Sequence, residues 1–178
     1  LMEKHLDALR AQNYSPFTVK NRRVHLGYFV GWCQERGIME PTEVTRPILE
    51  HYQQHLFQYR KKNGEALSFR SQHSRLVPIR VWFRWLARQH HILHNPASEL
   101  ELPRLEHRLP KAVLTVNEIE QVLAQPDIND SLGLRDRALM ETLYSTGMRR
   151  LELANLKLYD IDTERGTVTI RQGKGKKD

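Results

Sequence analysis

Four segments in the first hundred residues carry apolar side chains at the three- and four-residue spacing of an amphipathic helix. They run from about residue 2 to 12, 16 to 36, 46 to 60 and 68 to 95, and short turns rich in proline, glycine and asparagine separate them. Ser15 followed by Pro16 is typical of a helix start, and Gly37 of a helix end. Four helices joined by such short connections predict a compact helical bundle.

The fourth segment has the heaviest apolar surface of the chain. We assign Trp82, Phe83 and Trp85 to the core, because large aromatic side chains at helical spacing are usually buried. The single cysteine, Cys33, lies in the second helical pattern and is assigned to packing. One cysteine forms no internal disulfide, which fits a reducing compartment.

The chain changes character after Pro96. Residues 97–113 lack sustained periodicity and contain two prolines, which is typical of an extended linker. Thr115 and Glu118 form a capping-box pattern before a short helix. Another helix is predicted from about Leu134 to Ser145, with Ala138, Leu139, Leu143 and Tyr144 facing inward. A strand, a turn at 164–166 and a β-branched strand follow, so the second domain is predicted to be α+β.

The charge of the chain is positive and uneven. The net charge is +7, and residues 1–102 hold fifteen Lys and Arg against nine Asp and Glu, which leaves +6 in the first part. Such a basic field indicates a polyanionic partner, and nucleic acid is the leading candidate. No apolar run reaches the roughly 18 residues of a membrane span, and the first residues do not show the charged-then-apolar pattern of a secretion signal. We therefore expect a cytoplasmic protein.

Two basic motifs follow in the second domain. Arg149 starts a helical pattern after Thr146-Gly147, and Glu152 lies three residues later on the same face, where its carboxylate can hold the guanidinium. An arginine fixed in this way suits a phosphate. Lys174 stands between two glycines after the second strand. From the residues alone, a helix-ending glycine beside a solvated arginine is the leading explanation of the first motif, and a solvated hairpin lysine that of the second.

Several motifs then occur in a fixed order. They are Leu109-Pro-Lys-Ala-Val-Leu-Thr115, Leu132-Gly-Leu-Arg-Asp-Arg-Ala-Leu139, Thr146-Gly-Met-Arg-Arg-Leu-Glu-Leu-Ala-Asn-Leu156, Asp160-Ile-Asp162, Gly166-Thr-Val-Thr-Ile170 and Gly173-Lys-Gly175. Together they resemble the first half of the catalytic domain of tyrosine recombinases, in the Xer and integrase branch. The resemblance implies a mainly α fold: a four-helix, SAM-like core-binding domain at 1–98, a linker at 99–113, and a truncated α+β catalytic domain with a small antiparallel sheet at 114–178.

The resemblance also implies roles for the two basic motifs. Arg149 is expected to clamp the scissile phosphate with support from Glu152, and Lys174 to protonate the leaving 5′-oxygen, with Lys176 as its nearest competitor. The nucleophilic tyrosine of this family belongs to a later segment and has no counterpart here, because Tyr144 and Tyr159 do not match its context. The covalent phosphotyrosine route needs no cofactor, and no metal site is predicted from the spacing of the His residues.

In the core-binding domain of this family, two segments face DNA. By that resemblance Ser15–Lys20 and Ser68–Arg75 face the duplex here, and Lys111 follows its backbone from the linker. The expected DNA contacts are Thr18, Lys20, Arg22, Arg70, Ser71, His73, Arg75 and Lys111. The recurring arginines of the fourth segment also fit the solvated face of an ordinary amphipathic helix.

We therefore expect a site-specific recombinase or integrase that cleaves and rejoins duplex DNA through a 3′-phosphotyrosine. The family acts as a tetramer on DNA, and a bacterial, nucleoid-associated protein is implied. This chain alone is expected to bind DNA without cutting it, and to be monomeric. Two alternatives remain open: a truncated DNA-binding regulator or inhibitor, and a basic helical protein-interaction module.

Overall fold

The computed structural model describes residues 1–106 and 113–171. The chain divides into two compact units, Leu1–His107 and Arg108–Asp178. The described residues form seven α-helices and one two-stranded antiparallel sheet. The predicted fold class, mainly helical with a small antiparallel sheet, is confirmed.

The first unit contains the four predicted helices. They are α1 (Met2–Ala11), α2 (Pro16–Gln34), α3 (Arg46–Gln58) and α4 (Phe69–Arg88), with a 3₁₀ turn at Pro41–Glu43. The Oγ atom of Ser15 accepts a hydrogen bond from the Thr18 N–H at 3.2 Å, as its capping role requires. Gly37 follows the end of α2 with a φ of 75°, a conformation that glycine adopts without strain.

The core of this unit centres on α2, which packs against α1 and α4. The ring of Phe29 lies edge-on to Tyr52 of α3 at 5.0 Å and to Phe83 of α4 at 6.1 Å between centroids. Each such pair adds about 0.5–1.5 kcal/mol beyond the burial of its surface. Trp82 and Phe83 are buried and Trp85 is half-buried against the core, in line with the prediction. Cys33 is likewise buried.

The fourth helix is shorter than predicted. It ends at Arg88, whereas the sequence pattern placed its end near Asn95. His90 adopts a φ of 56°, and the His91 N–H bonds back to the Leu86 carbonyl at 2.9 Å. The helix ends there, and Ile92, Ala97 and Leu100 bury their apolar side chains in the core of the bundle, while Leu93 stays exposed.

The second unit is built from short elements. These are α5 (Val116–Leu123), α6 (Ser131–Thr146), α7 (Arg150–Ala154), a 3₁₀ turn at Leu158–Asp160, β1 (Ile161–Asp162) and β2 (Thr167–Val168). The predicted capping box is present, since Thr115 and Glu118 each bond the other's backbone N–H. The predicted hairpin is also present, with Gly166 at a φ of 63° in its turn.

Helix α6 differs from its prediction in two ways. It begins at Ser131 rather than Leu134, because the Asp130 carboxylate accepts hydrogen bonds from the Leu132 and Gly133 N–H groups at 3.1 Å. The predicted inward face is largely exposed: Ala138 is exposed, Leu139 is 40% exposed and Tyr144 55%. In the described part of this unit, α5 and α7 are the helices that pack on α6, and they are too short to cover that face.

Replacing a helical glycine by alanine is expected to destabilise one helix of this protein and to stabilise another. At Gly133 an added Cβ would lie 2.0 Å from the Asp127 carbonyl oxygen, so Gly133→Ala forces the loop before α6 to move. Such overpacking costs typically about 1–3 kcal/mol, and amide hydrogen exchange in the first turns of α6 should accelerate about tenfold or more.

The matched control is Gly31→Ala in α2, where nothing lies within 4 Å of the added Cβ. Alanine there should slow exchange in α2, because it removes roughly 0.5–1 kcal/mol of glycine's cost in a helix. Unchanged protection of α6 in Gly133→Ala would contradict the close approach to Asp127.

Candidate functional site

The two predicted DNA-facing segments begin their helices in the same way. Ser68 caps α4 as Ser15 caps α2, and its Oγ accepts from the Ser71 N–H at 3.2 Å. The Oγ atoms of Ser68 and Ser71 also lie 2.9 Å apart, as do the Oγ of Ser15 and the Oγ1 of Thr18. Neither first turn contains an acidic residue. Both helix starts therefore present hydroxyl groups and N–H dipoles without a competing negative charge.

The predicted cationic contacts of these segments differ in their surroundings. Lys20 and Arg70 are exposed, and Arg75 is half-buried against aromatic rings. Within residues 1–106 no ion pair engages these three side chains. By contrast, Arg23 forms a two-pronged ion pair with Glu3, at 2.6 and 2.5 Å. The structure thus separates cations that are available to a ligand from those that fasten the helices, which the sequence does not.

Two predicted contacts are less accessible than expected. Arg22 is half-buried against the ring of Tyr14, and its Nη1 atom is buried and has no hydrogen-bond partner in the described residues. Burial lowers the pKa of this guanidinium. His73 is also half-buried. Both remain predictions as contacts, with less side-chain surface to offer than Lys20 or Arg70.

Arg149 is held at the junction between α6 and α7. Gly147 ends α6 with a φ of 64°, Met148 is buried, and Arg149 forms the N-cap of α7. One Glu152 oxygen accepts from the Arg149 backbone N–H at 2.8 Å and the other from Nη1 at 2.7 Å. The Glu152 side chain is 10% exposed and that of Arg149 66% exposed. A largely buried carboxylate therefore orients an exposed guanidinium, as the spacing predicted.

The helix that follows Arg149 is short, since α7 ends at Ala154. Because α7 has only five residues, its dipole adds little to the positive charge at this point. The electrostatic field here comes mainly from the guanidinium groups of Arg149 and its exposed neighbour Arg150. The positive charge of this junction therefore lies on those side chains.

A buried carboxylate fixes the hairpin of the second unit, and the sequence did not identify it. Asp160 is 5% exposed and accepts hydrogen bonds from the Arg171 Nε at 2.5 Å and the Lys157 N–H at 2.9 Å. These two hydrogen bonds lower the pKa of Asp160, and the bond from Arg171 has the larger effect. The Arg171 guanidinium also lies over the Tyr159 ring at 5.4 Å. No local pattern predicts this pair, because its members are eleven residues apart.

Two predicted site residues, Lys111 and Lys174, lie outside the described residues, as does Lys176. In the part of the chain that the structure describes, no cluster of three or more His, Cys, Asp or Glu side chains is arranged to hold a metal ion. Among the same residues, no helix is both long enough and apolar enough to cross a bilayer.

A basic helical unit followed by a small α+β unit with an oriented arginine is the arrangement predicted from the tyrosine recombinase resemblance. Comparison with known proteins confirms that resemblance. Residues 112–178 match the phage integrase family. A Ralstonia nicotianae protein named tyrosine recombinase XerC 2 is 54% identical over 177 residues, which cover 99% of this chain and 51% of that protein.

More distant relatives agree. A Pseudomonas putida protein named tyrosine recombinase XerD is 33% identical over 179 residues, covering 100% of this chain and 57% of that protein. The integrase of mycobacterium phage Brujita has a similar fold, with a TM-score of 0.50 and 22% identity over 96% of this chain and 53% of the integrase chain. This chain thus spans about half the length of the relatives that it matches.

Proposed function

We propose that this chain is the DNA-binding part of a tyrosine-type, site-specific recombinase or integrase. Its similarity to a named tyrosine recombinase over 99% of the chain carries the proposal. We assign residues 1–98 to a core-binding domain, 99–113 to a linker and 114–178 to the first part of a catalytic domain. Because its proposed substrate is duplex DNA, we place it in the bacterial cytoplasm with the nucleoid.

We assign the binding of duplex DNA to the first unit and the linker. The proposed contacts are Thr18, Lys20, Arg22, Arg70, Ser71, His73, Arg75 and Lys111. The unpaired state of Lys20, Arg70 and Arg75 in the described residues supports this assignment, because cations already engaged by carboxylates release fewer counterions on binding DNA. The hydroxyl-capped starts of α2 and α4 add neutral donors for phosphate oxygens.

We assign the chemistry to Arg149 and Lys174. Attack on a phosphodiester concentrates negative charge on the non-bridging oxygens, and a fixed guanidinium aimed there lowers the barrier. Glu152 supports this role by restricting the Arg149 side chain. Lys174 donates a proton to the leaving 5′-oxygen. The nucleophilic tyrosine comes from a segment outside this chain, the reaction uses no cofactor, and the complete enzyme works as a homo- or hetero-tetramer on DNA.

The affinity of this chain for duplex DNA is expected to fall steeply with salt. If Lys20, Arg70 and Arg75 each meet a phosphate, the slope of log K against log salt is about −2.7, and binding weakens about 40-fold between 50 and 200 mM salt. Fluorescence anisotropy with labelled duplexes measures this slope. Arg70→Ala should make it less negative by about 0.9, and Arg23→Ala, which removes a cation already paired with Glu3, should not.

Salt-independent binding, or none, would favour the interaction-module alternative. Cleavage is tested in a hybrid in which this chain replaces the aligned segment of the Ralstonia relative. A nicked duplex should trap a covalent DNA–protein adduct on the hybrid, and the 178-residue chain alone should form none. DNA binding by the hybrid without any adduct, while the unaltered relative forms one, would favour the regulator alternative.

A further inference from the structure

A groove of about 290 Å³ lies on the first unit and is lined by residues of α2, the end of α3 and α4. Tyr28, Tyr52 and Tyr59 contribute aromatic walls. Gly27 and Gly31, one helical turn apart on α2, keep one side open, because nothing lies within 4 Å of a Cβ built at either position. The Tyr52 side chain is 1% exposed, and its hydroxyl has no hydrogen-bond partner in the described residues.

Arg75 of α4 reaches this groove between two of the rings. Its Cζ atom lies 4.6 Å from the centroid of Tyr28 and 5.6 Å from that of Tyr59. Contacts of this kind attract a guanidinium to the ring face without using its N–H donors. No hydrogen bond or ion pair within residues 1–106 engages those donors. The side chain is therefore restrained while its hydrogen-bonding capacity remains available.

The charges around Arg75 leave it without a counterion. The carboxylate that lines the groove belongs to Glu35, and one of its oxygens lies 3.5 Å from Nη1 of Arg36. His25 is neutral at physiological pH, since burial first and the charge of Arg75 second lower its pKa. The groove thus holds a half-buried cation with unused donors, and its lining carboxylate is paired with Arg36 rather than with Arg75. Such a cation favours an anionic ligand that presents paired oxygens.

The groove continues the surface that carries the proposed DNA contacts. Ser71 and Arg75 are four residues apart on α4 and therefore share a face. Lys20, Val24 and Tyr28 follow the same spacing on α2, and all three are exposed. The duplex that meets Lys20 and Ser71 is thus within reach of the groove, and its backbone supplies the required oxyanions.

We propose that Arg75 binds a phosphate of the DNA backbone at this groove, and that Tyr28 and Tyr59 are positioning residues that hold its guanidinium. The inference rests on the proposed DNA-binding function and adds the chemistry of one contact. Two N–H groups of the guanidinium bond two non-bridging oxygens of one phosphate. Such a contact fixes the position of the protein on the duplex and reads no bases.

The first test measures binding to several unrelated duplexes over a range of salt. Arg75→Ala should weaken all of them by a similar factor, roughly three- to tenfold, and make the salt slope less negative by about 0.9. Arg75→Lys should keep the slope but lose affinity, because an ammonium neither stacks nor bonds two oxygens in this way. An unchanged slope in Arg75→Ala overturns the phosphate contact.

The positioning role is tested by a double-variant cycle. Tyr28→Leu alone should weaken binding, whereas adding it to Arg75→Ala should cost nothing further, because the ring acts through the guanidinium. Tyr144→Leu, which removes an exposed tyrosine of the second unit, is the matched control and should bind like the parent. Additive losses for Tyr28 and Arg75 overturn the positioning role.

A third measurement separates this site from the DNA-binding function itself. The Nε–H resonance of Arg75, assigned by its absence in Arg75→Lys, should shift on addition of inorganic phosphate and not of chloride at equal ionic strength. Duplex binding with no shift and no slope change overturns the groove site alone. A shift without any duplex binding overturns the proposed function and supports the phosphate site, and the absence of both overturns both.

Discussion

In the hybrid with the Ralstonia relative, Arg149→Ala is expected to slow covalent adduct formation on a nicked duplex by roughly a hundred- to a thousandfold. The Arg149 guanidinium is oriented by Glu152 and is 66% exposed, so it can reach a phosphate without breaking an internal network. Removing one fixed donor from a charged transition state typically costs about 3–4 kcal/mol. Quenched-flow sampling followed by denaturing electrophoresis measures the rate.

Arg150→Ala provides a matched control for this variant. Arg150 is also exposed and lies one residue later, whereas the Glu152 carboxylate accepts hydrogen bonds from the backbone N–H and the guanidinium of Arg149. We expect its adduct rate to stay within a few-fold of the parent. Equal losses for the two variants would assign the effect to general positive charge, and an undiminished rate in Arg149→Ala would sink the catalytic assignment. Both variants should bind the duplex nearly as well as the parent, because the first unit supplies most contacts.

The first unit is expected to lose stability as the pH falls from about 6.5 to about 4. His5 is 1% exposed, both of its ring nitrogens lack hydrogen-bond partners in the described residues, and its ring lies 5.2 Å from that of Trp85. Burial, and secondarily the charge of Arg22, lower the pKa of His5 from 6.5 to about 4. Between these pH values His5 is therefore neutral in the folded state and protonated in the unfolded state.

The direction of this pH dependence follows from the linkage between proton binding and folding. Stability is fully present above pH 6.5 and decreases as the unfolded state gains its proton, by about 1 kcal/mol at pH 5.5 and approaching 3 kcal/mol at pH 4.5. Urea unfolding followed by tryptophan fluorescence reports on this unit, because all three tryptophans lie within it. His5→Leu should remove most of the pH dependence, and His94→Gln, at an exposed position, should leave it intact. Identical pH profiles for His5→Leu and the parent would contradict the argument.

The helix starts and the turns are the features that local sequence predicted best. Ser15, Ser68 and Thr115 cap their helices as expected, because a cap joins side-chain and backbone atoms three residues apart. Gly147 and Gly166 take left-handed conformations, which are also a local property because glycine has no Cβ atom to strain them. The Arg149–Glu152 contact also spans three residues, so this part of the candidate site was predictable from spacing alone. The role of that contact came from family resemblance and stays a prediction.

The predictions that failed concern which apolar face finds a partner. Periodicity identified one face of α6, but Leu139 and Tyr144 are exposed because the described part of the second unit offers that face too little surface. Periodicity also carried α4 past Arg88, where the helix ends, and Ile92 is buried in the core outside it. A pattern of apolar residues indicates which face of a helix tends to be buried. It does not indicate which other element packs against that face.

The sequence alone determined the number of the helices and the starts of those with a capping side chain at a recognised position, such as Ser15, Ser68 and Thr115. It also determined the class of the fold, the basic character of the first unit and the position of Arg149. Tertiary structure decided which cations are available, since Arg23 meets Glu3 across twenty residues while Arg75 meets only rings among its described neighbours. It likewise decided that His5 is enclosed and that Asp160 holds Arg171. These contacts join residues far apart in the chain, and packing of the helices and strands, rather than local spacing, sets the distance between them.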